Sequence, residues 1–272
     1  MPELPEVETT RRGIVDYIKG ASIKNVVIRN HSLRWPVDKK LPQTLKHLTI
    51  RDVQRRAKYI LILFDSGTLM IHLGMSGSLR ITNNTTPVEK HDHIDIRFNN
   101  KHILRYRDPR RFGSVIWCSE DINSHPLLES LGPEPLQKNF SDAYFKKSCF
   151  QRKRSIKQHI MDSHIVVGVG NIYACEALFM SKISPTSQTG KLSEKRLERL
   201  KESIVEVLSS AIEQGGTTLK DFAQANGEPG YFQQKLFVYG REDKPCFHCQ
   251  KPIKKIVQGQ RSTFYCPGCQ KN

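Results

Sequence analysis

Cys246-x2-Cys249 and Cys266-x2-Cys269, with sixteen residues between the pairs, leave few options for the last thirty residues of this chain. A segment that short cannot bury enough apolar surface to fold by itself. Each Cys-x-x-Cys turn presents two thiolates to one side, and two such turns complete a tetrahedron, the geometry of a closed four-cysteine zinc site. Two disulfides are the alternative, which a reducing compartment disfavours. A redox motif is the other, but such motifs come singly in a strand–helix setting. Four thiolates leave no open position for water, so the expected Zn2+ is one structural ion that supplies much of the local folding energy. Cys118, Cys149 and Cys175 stand apart and read as structural.

The remaining 240 or so residues divide by texture. Pro5 suits a first helical turn, Glu6 and Glu8 suit its dipole, and Val7, Ile14 and Ile18 share a face, which predicts a helix over 5–18. From Ile23 to Cys118 the chain runs in short β-rich stretches: Ile23–Ile28, Leu48–Gln54, Tyr59–Phe64, Thr68–Leu73, Ser78–Thr82, His93–Phe98, His102–Tyr106 and Ser114–Cys118. Turn residues such as Asp65-Ser66-Gly67 and Asn99-Asn100 separate them, as in an antiparallel sandwich or barrel. LGPEPL at 131–136 breaks the pattern. Helical periodicity follows at Ser141–Cys149, Ser155–Asp162, Asn171–Met180 and Ser193–Gln214, the last closed by Gly215. Between the second and third of these, VVGVGN at 166–171 turns into a helix N-terminus, a setting that offers backbone N–H groups to a phosphate. The fold class expected is α+β multidomain. An N-terminal antiparallel β-sandwich with flanking helices spans 1–131 and a linker 132–137. A helical domain spans 138–240, and the zinc finger 241–272.

Charge bears on partners. Forty-three basic residues against 27 acidic give +16, and Phe145–Lys157 holds six basic residues and no acid. A balance of this kind fits a polyanion, nucleic acid before membrane, because no basic amphipathic helix with bulky apolar residues stands out. No apolar run reaches the roughly 18 residues of a membrane span, and MPELPEVETTRR has no apolar core of a signal peptide, so a cytoplasmic location is expected. A chain that loses Met1 begins with Pro2, a secondary amine that is partly unprotonated near neutral pH and can attack a carbonyl or acetal-like carbon. Glu3 beside it is placed for acid–base work. Many proteins begin Met-Pro without consequence, so these residues alone do not establish catalysis.

A resemblance adds to this. MPELPEVET, QRRAKY at 54–59, HLGMSGSLR at 72–80, KHDH at 90–93, DPRRFG at 108–113, VVGVGNIYA at 166–174, EQGGTTLKDF at 213–222 and the cysteine finger occur in order. Together they closely resemble the bacterial formamidopyrimidine-DNA glycosylase family along the whole chain. The related endonuclease VIII branch shares the Pro-Glu start, the helix–two-turn–helix module and the finger. GMSGSLR and DPRRFG are similar to the purine-excising branch. The resemblance implies a bifunctional DNA glycosylase and abasic-site lyase of base-excision repair, acting as a monomer on duplex DNA that contains 8-oxoguanine or formamidopyrimidines. By the same resemblance Pro2 is the nucleophile at C1′, and Glu3 is the acid that assists ring opening. Lys58 serves base recognition and β-elimination, and Arg261 serves phosphate contact and δ-elimination. Met75, Arg110 and Phe112 fill the gap left by a flipped nucleotide. His91, Lys153, Lys157 and Asn171 bind backbone phosphates, and Thr217–Phe232 closes over the extruded base. The ligand set Cys246, Cys249, Cys266 and Cys269 holds the zinc. A non-catalytic zinc-ribbon DNA-binding protein is the rival from another class. It predicts salt-sensitive binding without covalent trapping.

Overall fold

A computed structural model describes residues 2–215 and 236–272. The described chain forms two compact units, one of residues 2–129 and one of residues 130–213 with 236–272. The segment expected to close over an extruded base, Thr217–Phe232, lies outside the described residues.

The first unit opens with helix α1 (Leu4–Ile18), which has Glu3 at its N-cap and Pro5 in its first turn. The Glu6 carboxylate reaches back to accept from the Glu3 backbone N–H at 2.8 Å, so the helix start satisfies one of its own orphan donors. Val7, Ile14 and Ile18 form the buried face expected from their spacing. Eight strands follow in two antiparallel sheets. The first contains β1 (Ile23–Ile28), β6 (Asp92–Phe98), β7 (Ile103–Arg107) and β5 (Ser78–Thr82), in that lateral order. The second contains β2 (Asp52–Arg56), β3 (Tyr59–Phe64), β4 (Gly67–His72) and β8 (Ser114–Cys118). Ile23 and Ile96 from one sheet, Ile62, Ile71 and Val115 from the other, and Ile14 and Ile18 of α1 share one apolar core. This is the expected sandwich.

Two local readings change. The stretch expected as a strand over Leu48–Gln54 pairs with β3 only from Asp52 onward. Its first residues are taken elsewhere, because Leu48 O accepts from Ile23 N and Ile50 O from Gly20 N. A short helix, α2 (Leu41–Leu45), occupies a stretch given no element in the sequence reading. Leu41 and Leu45 lie one turn apart and both are buried.

The first sheet carries charge in its interior. Asp95 is wholly buried and accepts from Arg105 at 2.8 Å and from Arg29 at 2.6 Å. Burial alone would raise its carboxyl, but the two guanidiniums outweigh that and hold it below the ordinary range.

The second unit is helical: α3 (Asp142–Cys149), α4 (Ile156–Ile160), α5 (Asn171–Met180) and α6 (Glu194–Glu213). Ser141 caps α3 by accepting from Tyr144 N. Every residue from Ile172 to Phe179 is buried, so α5 is the central helix, and α6 covers it with Leu197, Leu200, Ile204, Leu208 and Ala211. The chain closes with a hairpin of β9 (Lys254–Gln258) and β10 (Arg261–Tyr265). Val238, Ile253 and Phe264 pack on Cys175 and Phe179 of α5. Glu176, buried on the same helix, accepts from the backbone N–H groups of Phe237, Val238 and Tyr239 at 2.8, 3.0 and 2.9 Å. The finger is thus joined to α5 by apolar packing and by one carboxylate.

One half-buried and one buried imidazole, His72 and His159, set an acid limit on this architecture. Burial, with Lys58 and Arg34 nearby, depresses His72 from 6.5 to about 4. Burial, with Arg154 and Arg152, does the same to His159. Arg154 Nε donates to His159 Nδ1 at 3.0 Å, an arrangement that suits only the neutral ring. The unfolded chain therefore takes up these protons first as pH falls. The stability is fully present above about 6.5 and declines as pH drops toward 4, by up to about 3 kcal/mol per imidazole. Urea midpoints are expected to be level from pH 7 to 8 and clearly lower at pH 4.5. A midpoint that rises on acidification contradicts this linkage.

Candidate functional site

In the first unit the N-terminal residues meet a turn of the second sheet. Pro2 and Glu3 are buried at the head of α1. Glu8, one turn on, is a hub for three arginines: Arg11 at 2.8 Å, Arg12 at 3.0 Å and Arg55 at 3.2 Å. Burial would raise the Glu8 carboxyl, yet the arginines hold it below its usual value. Arg55 also donates to the Ala57 carbonyl at 2.8 Å. Ala57 and Lys58 are the two residues between β2 and β3, and Ala57 sits at φ 53°, a region that costs a non-glycine residue free energy. The Glu8–Arg55 pair therefore ties α1 to the strained turn that carries half-buried Lys58.

His72, a residue the sequence reading did not single out, adjoins this turn. It is the cross-strand partner of Tyr59, with ring centroids 4.9 Å apart. Its Nδ1 accepts from Gly74 N–H at 3.1 Å, which puts the proton of the neutral ring on Nε2. The signal was available, since a histidine that pairs with the residue after Lys58 follows from the β3–β4 register.

At the other residues of this unit the organiser is Asp108. It is wholly buried, and its carboxylate accepts from Ser76 Oγ at 2.7 Å, Gly113 N at 2.8 Å and Tyr106 OH at 3.2 Å. Its carbonyl accepts from His93 Nε2 at 2.8 Å, and its N–H donates to the His91 carbonyl at 3.1 Å. Ser76 Oγ accepts in turn from Arg110 N at 3.1 Å. These bonds bring together the loop after β4, which carries Met75, and the loop after β7, which carries Arg110 and Phe112. Gly74 lies at φ 63°, and a Cβ there would stand 2.5 Å from the Phe112 carbonyl carbon, so only glycine lets the loops touch. Met75 and Phe112 are 37% and 45% exposed although apolar, and the Arg110 guanidinium lies 4.9 Å from the Phe112 ring. All three side chains are exposed on the two joined loops. Asp108 was missed because an aspartate before proline reads simply as a turn residue.

The second unit holds the remaining residues. Lys153 and Arg261 are exposed. Lys157 is not. It is 1% exposed, and its ammonium donates to Asn171 Oδ1 at 2.5 Å and to Thr263 Oγ1 at 2.7 Å. Asn171 Nδ2 donates to Ser262 O at 2.9 Å. Of the four residues expected by resemblance to bind backbone phosphates, Lys157 is thus the buried one, and it is held directly by another of them, Asn171. A buried ammonium must be surrounded by acceptors, and here the acceptors come from α5 and β10. Lys157 joins α4 to the strand that begins with Arg261.

The four finger thiolates converge as spaced. Cys246, Cys249, Cys266 and Cys269 place their Sγ atoms within 4.8 Å of one another, Cys249 and Cys266 at 3.4 Å and Cys246 and Cys269 at 3.9 Å. A Zn–S bond of about 2.3 Å requires tetrahedral S–S edges of about 3.8 Å. His248 N and Cys269 N donate to Cys246 Sγ and Cys266 Sγ, the turn geometry that supports thiolate ligands. The four thiolates fit one structural zinc.

Comparisons with known proteins cover the whole chain. Residues 1–115 match the model of the formamidopyrimidine-DNA glycosylase N-terminal domain, 131–223 that of the corresponding H2TH domain, and 243–272 a zinc finger found in FPG and IleRS. The formamidopyrimidine-DNA glycosylases of Thioalkalivibrio sulfidiphilus and Saccharophagus degradans are 54% and 53% identical over 271 residues, the full length of both chains in each case. Among solved structures, a Lactococcus lactis Fpg in complex with DNA containing an abasic site aligns over all of both chains with a TM-score of 0.92 at 33% identity. The MutM (Fpg) protein of Thermus thermophilus aligns over 99% of this chain and 98% of that one with a TM-score of 0.88 at 36% identity.

Proposed function

The chain belongs to the formamidopyrimidine-DNA glycosylase family, and from that premise we propose that it excises oxidised purines from duplex DNA through the amine of Pro2 and then cleaves the strand by β,δ-elimination. The amine of a chain that has lost Met1 attacks C1′ of the damaged nucleoside. The C1′–N bond breaks and the base leaves with a proton. Glu3 protonates the ring oxygen as the deoxyribose opens, which yields an iminium between Pro2 and C1′. That cation makes the C2′ proton acidic. Its removal expels the 3′ phosphate, and a second elimination expels the 5′ phosphate. Hydrolysis of the iminium returns the free amine.

The observation that carries this reading is the head of α1, with Glu3 at the N-cap directly after Pro2 and the Lys58 turn tied to the same helix through Glu8 and Arg55. Met75, Arg110 and Phe112 are of the kinds that replace a flipped nucleotide: an adaptable apolar filler, a hydrogen-bonding cation for the orphaned base, and a ring that stacks. His91, Lys153, Lys157, Asn171 and Arg261 then position the backbone rather than read sequence.

Borohydride reduction during incubation with a duplex containing one 8-oxoguanine opposite cytosine tests the reading. The expected product is a covalent complex whose crosslinked peptide begins at Pro2. An N-terminal extension that keeps Met1 should abolish the complex while leaving salt-sensitive DNA binding intact. A crosslink on Lys58, or none from zinc-loaded protein lacking Met1, overturns it.

A further inference from the structure

The first unit contains a concavity that none of the candidate site residues lines. It has a volume of about 540 Å3 and lies where β1 begins, β6 ends and β7 begins. Lys24, Lys46, Arg97 and Lys101 line it with His47 and His102, and no carboxylate does. It stands at the far end of α1 from Glu3. The ring of Tyr17, in the last turn of that helix, packs edge-on against His102 at 5.2 Å, and Asn100 donates to the Tyr17 carbonyl. Tyr17 lies fourteen positions on from Glu3, roughly 21 Å of helix rise. The Asp108 loop leaves β7 at its opposite end.

The absence of neutralisation here contrasts with the rest of the sheet. Arg29, Arg80, Arg105 and Arg107 are each paired with Glu89, Asp92 or Asp95. Among the described residues Lys24, Lys46, Arg97 and Lys101 have no acidic partner, and the buried Nε of Arg97 has no acceptor. The same four strands thus balance one group of cations and leave another bare. Cations gathered in a concave, low-dielectric wall repel one another and focus a positive potential into the hollow. Two of the contributing residues are also held in an unfavourable backbone state, His47 at φ 67° and Lys101 at φ 71°. His47 N–H is fixed to the Ile23 carbonyl at 2.8 Å.

We propose that this pocket is a second anion site that takes a ligand bearing consecutive phosphate groups. Its volume suits a molecule of nucleoside-triphosphate size. A free nucleotide and the backbone of a second nucleic-acid segment both supply that chemistry. The site does not depend on the proposed repair reaction, since its ligand is bound and not transformed.

Calorimetric titration of the full, zinc-loaded chain tests the site, with ATP, inorganic pyrophosphate and a short undamaged duplex as separate probes. The comparison is with a variant carrying Lys46→Glu and Lys101→Glu, both exposed positions outside the catalytic residues. ATP and pyrophosphate affinity should fall by about tenfold or more in the variant. Incision of an abasic duplex should stay within about twofold, and the melting temperature should not change. The paired Lys→Arg variant should bind as the parent does. If only the duplex shows a variant-sensitive component, the phosphates come from nucleic acid. Saturable binding that is equal in parent and charge-reversed protein, or no saturable binding of any probe, overturns the proposal.

Discussion

Replacement of Cys249 by serine, or removal of zinc by a chelator, is expected to unfold residues 241–272 and to cost DNA affinity at least tenfold, while the sandwich of residues 2–129 stays folded. Structural zinc in finger peptides contributes about 10–16 kcal/mol of apparent folding free energy at neutral pH. The local apolar core cannot replace that. Ile253 and Phe264 rest on α5 rather than on a core of the finger's own. The strand that begins with exposed Arg261 is fastened through Lys157 and Asn171, whose bonds to Thr263 and Ser262 need the hairpin intact. Loss of metal therefore removes Arg261 from its register and takes Thr263 Oγ1 from Lys157 and Ser262 O from Asn171. Metal content, circular dichroism and salt-dependent binding of abasic DNA check the outcome together. Zinc-free protein that incises damaged DNA at the normal rate would show that the finger plays no part beyond its own fold.

Replacement of Asp108 by alanine should lower stability by about 3 kcal/mol, roughly 10 °C in melting temperature, and should abolish most lesion incision. Three donors lose their acceptor at once. Two of them, Gly113 N and Tyr106 OH, belong to buried residues, and Tyr106 OH keeps only a long contact to the His72 carbonyl at 3.4 Å. Burial and the Asp108 charge already push the Tyr106 phenol far above its usual value, so it stays a donor. Asparagine is not a remedy, because its amide would aim hydrogens at donors that need an acceptor. The test is a pair of measurements, thermal melting and single-turnover incision of 8-oxoguanine DNA, with non-specific duplex binding as control. A variant that melts early but incises normally once folded would limit Asp108 to a folding role.

The β-sandwich was legible because alternation and turn residues specify strands locally, and seven of the eight expected strands lie within a residue or so of the observed ones. Leu48–Gln54 shifted because its first backbone groups are claimed by Gly20 and Ile23, a tertiary competition that periodicity does not encode. The finger was legible for a different reason. Two short motifs at fixed spacing define a metal site almost without context. Lys153 and Lys157 look alike in the sequence, four residues apart in one basic run. Whether such a side chain turns outward or in is decided by what the facing element offers, and β10 lies about a hundred residues away in the chain. Asp108 and Glu8 were hidden in part for the same reason, since each joins local donors to one from far along the chain, Ser76 for Asp108 and Arg55 for Glu8.

The contact between Gly74 and the Phe112 backbone has a mechanical consequence. Met75, Arg110 and Phe112 do not sit on two independent loops but on one braced tooth, with Asp108 as its root. A tooth that does not bend cannot accommodate an intact stack by folding away. In the proposed reaction the work of insertion would then fall on the duplex, and steps that unstack easily would yield first. Discrimination of damaged from sound DNA would in that case begin before any atom of the base is read, in the difference between a base pair that gives way under pressure and one that holds.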